Sequence, residues 1–198
     1  MTDLLPLPMV ILGAPLLAFC LVALTPLRKS GRLAAQLVIL LSSVSLLAAF
    51  VAFFDQLGNP ELQSSWTMRW MPMGGSQAEI GWLIDGTSAP MLVVVGLVAL
   101  CVQIYSVGYL NNEPPHAIGR YFAWQALFIF AMQSLVLAPN LLQLFMGWEL
   151  VGLCSYLLIG FWWRKPEAAK ASVKAFWVTK TADGGLLLGL IVLFSLSG

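Results

Sequence analysis

The sequence predicts an all-α polytopic membrane protein of about six transmembrane helices, with a short extracytoplasmic β-hairpin between helices 2 and 3. Three observations carry this. The 198 residues are 60% hydrophobic and only 10% charged, with a mean hydropathy of +0.87, far more apolar surface than a soluble domain of this size buries. Apolar runs of about 20 residues recur along the chain, separated by short polar turns. One longer break, over 55–83, changes from helical to period-two patterning. A net charge of +1 leaves no basic face for nucleic acid. Cys20, Cys101 and Cys154 each lie within an apolar run and match no metal or redox spacing, so they read as small hydrophobes. The single histidine, His116, cannot hold a haem or metal alone, and no cofactor is expected.

The first helix runs over about 4–27 and contains Pro6, Pro8 and Pro15, which membrane helices tolerate when neighbours satisfy the freed carbonyls. Its N-terminus carries Asp3 and no basic residue. The positive charges Arg28, Lys29 and Arg32 follow the apolar run, the order of a retained helix rather than a secretory signal. The second helix covers about 33–54, and Ser42, Ser43 and Ser45 are expected to bond back to their own helix. Beyond it, Trp66, Met68 and Trp70, then Ile80, Trp82 and Ile84, alternate with other residues around Gly74-Gly75-Ser76. This is a hairpin pattern whose tryptophans are expected at headgroup level. Asp85-Gly86-Thr87-Ser88 offers caps for the third helix, over about 86–110. The turn-rich stretch from Asn111 to His116 precedes a fourth helix over about 119–138. Pro139-Asn140 turns at once into the fifth, so these two should be antiparallel neighbours. Pro166 suits the first turn of a sixth helix reaching about residue 197.

Lys and Arg are unevenly shared among the connections. Three follow the first helix, Arg120 follows the third and four lie over 164–174, whereas the other side holds Arg69 against Asp3, Asp55, Glu61 and Glu79. The positive-inside rule then places the 1–2, 3–4 and 5–6 connections in the cytoplasm and the N-terminus outside. Ala-, Leu- and Gly-rich spans suit a bacterial inner membrane, with an organellar membrane as the alternative.

Glu149 is the residue around which the polar positions arrange themselves. It lies about nine residues, or 13 Å, inside the fifth span, too deep for a short carboxylate to reach the surface as an interface anchor. A charge there costs on the order of 3 kcal/mol unless it is neutralised, paired or wetted, and such residues mark ion pathways. Gly152 and Ser155 leave room beside it for water or another backbone. On the sixth helix Lys170 can snorkel to the surface, Lys174 can do the same or face inward, and Lys180 lies about 20 Å along the rise. Asp183 is three residues further on. A Lys180–Asp183 pair that merely cancels both charges is one reading. The other is an acid–base relay along a buried aqueous path, in which a lysine beside a glutamate couples to its protonation.

Gly147-Trp-Glu-Leu-Val-Gly-Leu-Cys-Ser-Tyr-Leu-Leu-Ile-Gly-Phe161 resembles the fifth-helix signature of the antiporter-like subunits of respiratory complex I, the distal NuoL type most of all. Ile84-Asp-Gly-Thr-Ser88, Arg120-Tyr-Phe-Ala123, Leu137-Ala-Pro-Asn-Leu141 and Val173-Lys-Ala-Phe176 through Asp183 fall in the same order. The resemblance covers about 84–198 and, weakly, the two leading helices and hairpin. It implies that 1–83 is a leading pair of helices plus hairpin, and 84–198 the start of a proton-channel domain. It implies that Glu149 is the key glutamate of a half-channel, with Lys174, Lys180 and Asp183 as relay positions, and that other complex I membrane subunits are the partners. The family's broken helices, central lysine and lateral helix lie beyond residue 198, so the chain is expected to be a fragment or a split subunit. Two further readings keep the same fold: the large subunit of a multisubunit (Mrp-type) Na⁺/H⁺ antiporter, and a membrane scaffold or inorganic-carbon-uptake partner that does not pump.

Overall fold

In a computed structural model that describes residues 6–59, 63–73 and 76–197, six long helices and one hairpin follow each other along the chain. They are α1 (Pro6–Leu24), α2 (Gly31–Gly58), β1 (Ser64–Met73), β2 (Ser76–Ile84), α3 (Ser88–Tyr109), α4 (Pro115–Val136), α5 (Leu141–Ile159) and α6 (Pro166–Ser197). Single 3₁₀ turns at Pro26–Lys29 and Gly160–Trp162 close the ends of α1 and α5. The expected start of the first helix near residue 4, the charge at Asp3, the acidic Glu61 and the Gly74-Gly75 turn lie outside the described residues.

Local chemistry sets the boundaries. Asp85 Oδ1 accepts from the backbone N–H groups of Thr87 at 2.9 Å and Ser88 at 2.7 Å. Ser88 Oγ returns the favour by accepting from Asp85 N–H at 2.8 Å, so both orphan donors at the head of α3 are used. Asp85 stays below the usual carboxylate range chiefly because of the Ser88 N–H, against partial burial and with help from Thr87. Asn140 caps α5 by accepting from Gln143 N–H at 2.9 Å. Prolines open α4 and α6, where no N–H is needed.

The helix α4 is the central post, packed on α1, α2, α3 and α5. Among the described residues five helices are long and apolar enough to cross a membrane, and α4 is the long helix that falls short. The reason is its setting. A helix ringed by protein can carry Gln125 and Gln133 in its buried face, because neighbours rather than lipid satisfy them. Gln133 Nε2 donates to Ser45 Oγ at 2.9 Å, and Ser45 Oγ donates to Ile11 O at 2.8 Å. Gln103 Nε2 donates to Ser42 Oγ at 3.1 Å. Of the three serines expected to bond within their own helix, Ser43 does so, to Ile39 O, whereas Ser42 and Ser45 bond across the bundle. Alanine does most of the rest. Ala34, Ala35, Ala48, Ala49, Ala52, Ala123 and Ala126 are all buried, and small side chains let helices approach closely enough for dispersion to hold them in lipid.

The hairpin pairs antiparallel with Trp66 opposite Trp82, Met68 opposite Ile80 and Arg69 opposite Glu79. It is tied down over the α4–α5 turn. Leu83 N–H donates to Leu137 O at 2.9 Å, Asn140 Nδ2 donates to Glu79 O at 2.8 Å, and Gln143 bonds both the N–H and the C=O of Gly81 at 2.9 and 2.8 Å. Trp82 is enclosed by protein. It is buried with Ile84, Leu92 and Leu137 in a core cluster and stacks on Trp66 at 4.6 Å between ring centroids, since β2 lies against the bundle while β1 faces outward.

The opposite end collects the basic connections. The turn Pro26–Lys29 lies on the start of α4, where a Cβ at Gly119 would come within 2.3 Å of Arg28 O, so only glycine fits this approach. Arg120 Nη2 donates to Phe161 O at 3.2 Å, with its guanidinium 5.2 Å from the centre of the Trp124 ring. Trp162 Nε1 donates to Glu113 at 2.7 Å. The 1–2, 3–4 and 5–6 connections thus share one end and the hairpin holds the other.

Candidate functional site

The short α4–α5 turn makes these helices antiparallel neighbours, as the sequence predicts. At Gly147 a Cβ would sit 3.0 Å from Leu135 Cα, so α5 is pressed directly on α4 at the level of the acidic residue. Glu149 follows eight residues after Leu141, about 12 Å along the helix, on the side turned to α6. There it forms an ion pair with Lys180. Lys180 Nζ also lies 3.4 Å from Asp183 Oδ2, one turn further along α6. The other carboxylate oxygen, Asp183 Oδ1, accepts from Trp148 Nε1 at 2.8 Å. Two consecutive residues of α5 therefore hold two residues of α6, one pair through charge and the other through an indole.

Space and burial fit this arrangement. Gly152, one turn beyond Glu149, has Lys180 Nζ 3.8 Å from where its Cβ would be, so the room expected beside the glutamate is taken by the ammonium. The Phe176 ring lies below it at 5.7 Å and touches Tyr156. Asp183 is 5% exposed, whereas the side chains of Lys180 and Glu149 are 25% and 32% exposed. The cluster thus opens on one side and is closed at Asp183. With all three groups ionised it carries one positive and two negative charges. Attraction at this range is strong in a poorly polarisable medium, and the cost of desolvating the ions is large as well. One carboxylate is therefore in excess over the single ammonium.

The structure brings Glu149, Lys180 and Asp183 together. Lys174 is set apart, exposed on α6 two turns towards the basic end. Trp148 was not among the sequence-predicted residues. Its signal was present all the same: an indole N–H at this depth is remote from water and needs a partner. Among the described residues no cluster of three or more His, Cys, Asp and Glu could hold a metal ion.

Residues 138–198 match the family described as NADH:quinone oxidoreductase/Mrp antiporter, transmembrane. Residues 70–122 match the N-terminus of chain 5 of NADH-ubiquinone oxidoreductase (complex I). The chloroplast NAD(P)H-quinone oxidoreductase subunit 5 of Mesostigma viride is 42% identical over 82% of this chain and 24% of its own length. NAD(P)H-quinone oxidoreductase chain 5 of Picosynechococcus sp. is 38% identical over 95% of this chain and 28% of its own. The chain thus spans about a quarter of the length of the curated relatives it matches. Among solved structures, the Mrp complex of Dietzia sp. superposes with a TM-score of 0.70 at 26% identity, over 90% of this chain and 18% of that one. The membrane-bound sulfane sulfur reductase, an archaeal respiratory membrane complex, superposes at 0.77 with 18% identity, over 95% and 37%, a likeness of fold.

Proposed function

Since the chain belongs to the antiporter-like membrane subunits of complex I, of NuoL type, we propose that it is the N-terminal part of a proton-translocating membrane-arm subunit of NADH:quinone oxidoreductase. Electron transfer takes place elsewhere in the complex, and the chain carries no redox centre. The single observation behind this reading is the Glu149–Lys180 pair joining two apolar helices, α5 and α6, with Asp183 as a second carboxylate for the same ammonium. Glu149 takes up a proton when Lys180 moves away from it and releases the proton when the ammonium returns. Lys174, about 9 Å along α6 towards the basic end, is the relay step between that surface and the cluster. The basic end faces the cytoplasm of a bacterial cell, and the N-terminus and hairpin face outward. The fourth helix is a sixth span, protein-lined. The partners are the neighbouring antiporter-like subunits of the membrane arm.

The test is Glu149→Gln in the full-length subunit within its complex. NADH-driven acidification of inverted membrane vesicles should fall severely while assembly is retained. Undiminished acidification would remove Glu149 from the path. A second reading, a Na⁺/H⁺ exchanger subunit, draws on the Dietzia superposition. The chain 5 match and the subunit 5 relatives favour the oxidoreductase. Co-purification of quinone-reducing activity separates the two.

A further inference from the structure

We infer that Trp148 is a positioning residue of this relay, whose indole N–H fixes Asp183 so that its second oxygen competes with Glu149 for Lys180. The inference rests on the relay reading above. Its geometric basis is independent of it.

Trp148 stands next to the glutamate in sequence, about 10 Å inside α5, where no headgroup can meet its N–H. Half of the residue is exposed on the lateral face, so its orientation is not dictated by enclosure in a core. Its one polar atom nevertheless points inward to Asp183 Oδ1 at 2.8 Å. Asp183 is the most buried of the three charged groups. A short carboxylate on its own helix has rotamer freedom and could turn from Lys180. The indole bond removes that freedom and leaves Oδ2 aimed at the ammonium at 3.4 Å. Lys180 therefore has two seats: Glu149 on the neighbouring helix, and Asp183 on its own, held in place from the neighbouring helix by Trp148. Because Trp148 and Glu149 are consecutive on one helix, the indole bond ties the Asp183 seat to the Glu149 seat for as long as that bond holds. A passive packing role for the ring would not need the N–H.

Trp148→Phe removes the N–H and keeps an aromatic ring. In the full-length subunit within its complex, pumping should fall about tenfold, in line with the loss of one hydrogen bond to a charged group. Trp148→Phe combined with Asp183→Asn should pump no worse than the poorer single variant, because both break the same seat. Pumping at the wild-type level in Trp148→Phe, or losses that multiply, would overturn the inference. Indole hydrogen bonding is also readable by ultraviolet resonance Raman difference spectra in membranes, whether or not the complex pumps. Asp183→Asn should produce a tryptophan N–H difference band in the wild-type background and none in a Trp148→Phe background. A missing band, or one that persists without Trp148, rejects the bond itself. If Glu149→Gln pumps normally but the band behaves as expected, the relay reading fails while the Trp148–Asp183 bond stands.

Discussion

At the scale of single residues, Lys180 matters more than its one charge suggests, because it is the shared cation of two carboxylates on two helices. Lys180→Met leaves Glu149 and Asp183 facing each other without a cation. It should lower thermal stability in detergent by about 1–3 kcal/mol, the lower range for losing one partner of a partly exposed ion pair. Adding Glu149→Gln should return part of the loss, and a melt that worsens further would contradict the shared-cation geometry. Asp85 offers a different signature. Its carboxyl lies below its ordinary range because the Ser88 N–H bonds the charged form. The stabilisation it supplies is thus present above about pH 4 and lost as acid protonates it. Asp85→Asn should flatten the acid limb of the melting-temperature curve, whereas an unchanged limb would deny the cap its role.

At the scale of elements, Gln143 is the clasp between the hairpin and the helices. Gln143→Leu deletes both bonds to Gly81 and leaves buried backbone groups unsatisfied, at a cost of about 1–3 kcal/mol each. Hydrogen exchange of β2 should accelerate sharply while α2 and α4 stay protected. Exchange unchanged in β2 would show that the strand is held by other contacts.

Element boundaries were legible in the chain because they are written in caps and breakers. Asp85, Ser88, Asn140 and Pro166 act where their chemistry places them. The facing of each helix was less legible. In a membrane the lipid side and the core side are both apolar, so the polar contrast that orients a soluble helix is missing. This is why Ser42 and Ser45 were assigned to their own helix and in fact reach Gln103 and Gln133, and why the enclosure of Trp82 by protein was not legible. The relay cluster was partly legible for the opposite reason. Charges are so rare in these spans that Glu149, Lys180 and Asp183 stood out, whereas the indole of Trp148 was hidden among seven other tryptophans.

At the scale of the whole molecule, α1–α4 form a mutually packed bundle, and α5–α6 extend from it through the α4–α5 contact. The relay therefore sits between two helices at the side of the bundle, and α6 leans on α5 and its closing turn. The common end shared by the basic connections makes an orientation experiment direct. In a full-length subunit, single cysteines substituted at Ser30 and at Thr67 should label from opposite sides of sealed vesicles, with Ser30 reached from the cytoplasmic side. Labelling of both from one side would refute the alternation of spans.

The Glu149–Lys180 pair has a consequence for how the protein is made. Its partners lie 31 residues apart, so at a synthesis rate of about 5–20 residues per second the glutamate exists for about two to six seconds before its lysine has been polymerised. During that interval α5 presents an acidic side chain to the insertion machinery with no counter-ion of its own, and α6 arrives carrying the remedy. Biogenesis of the two helices is thereby a joint event: a ribosome pausing between them would expose the membrane to a half-built charge pair, and the codons in that stretch become part of the folding problem.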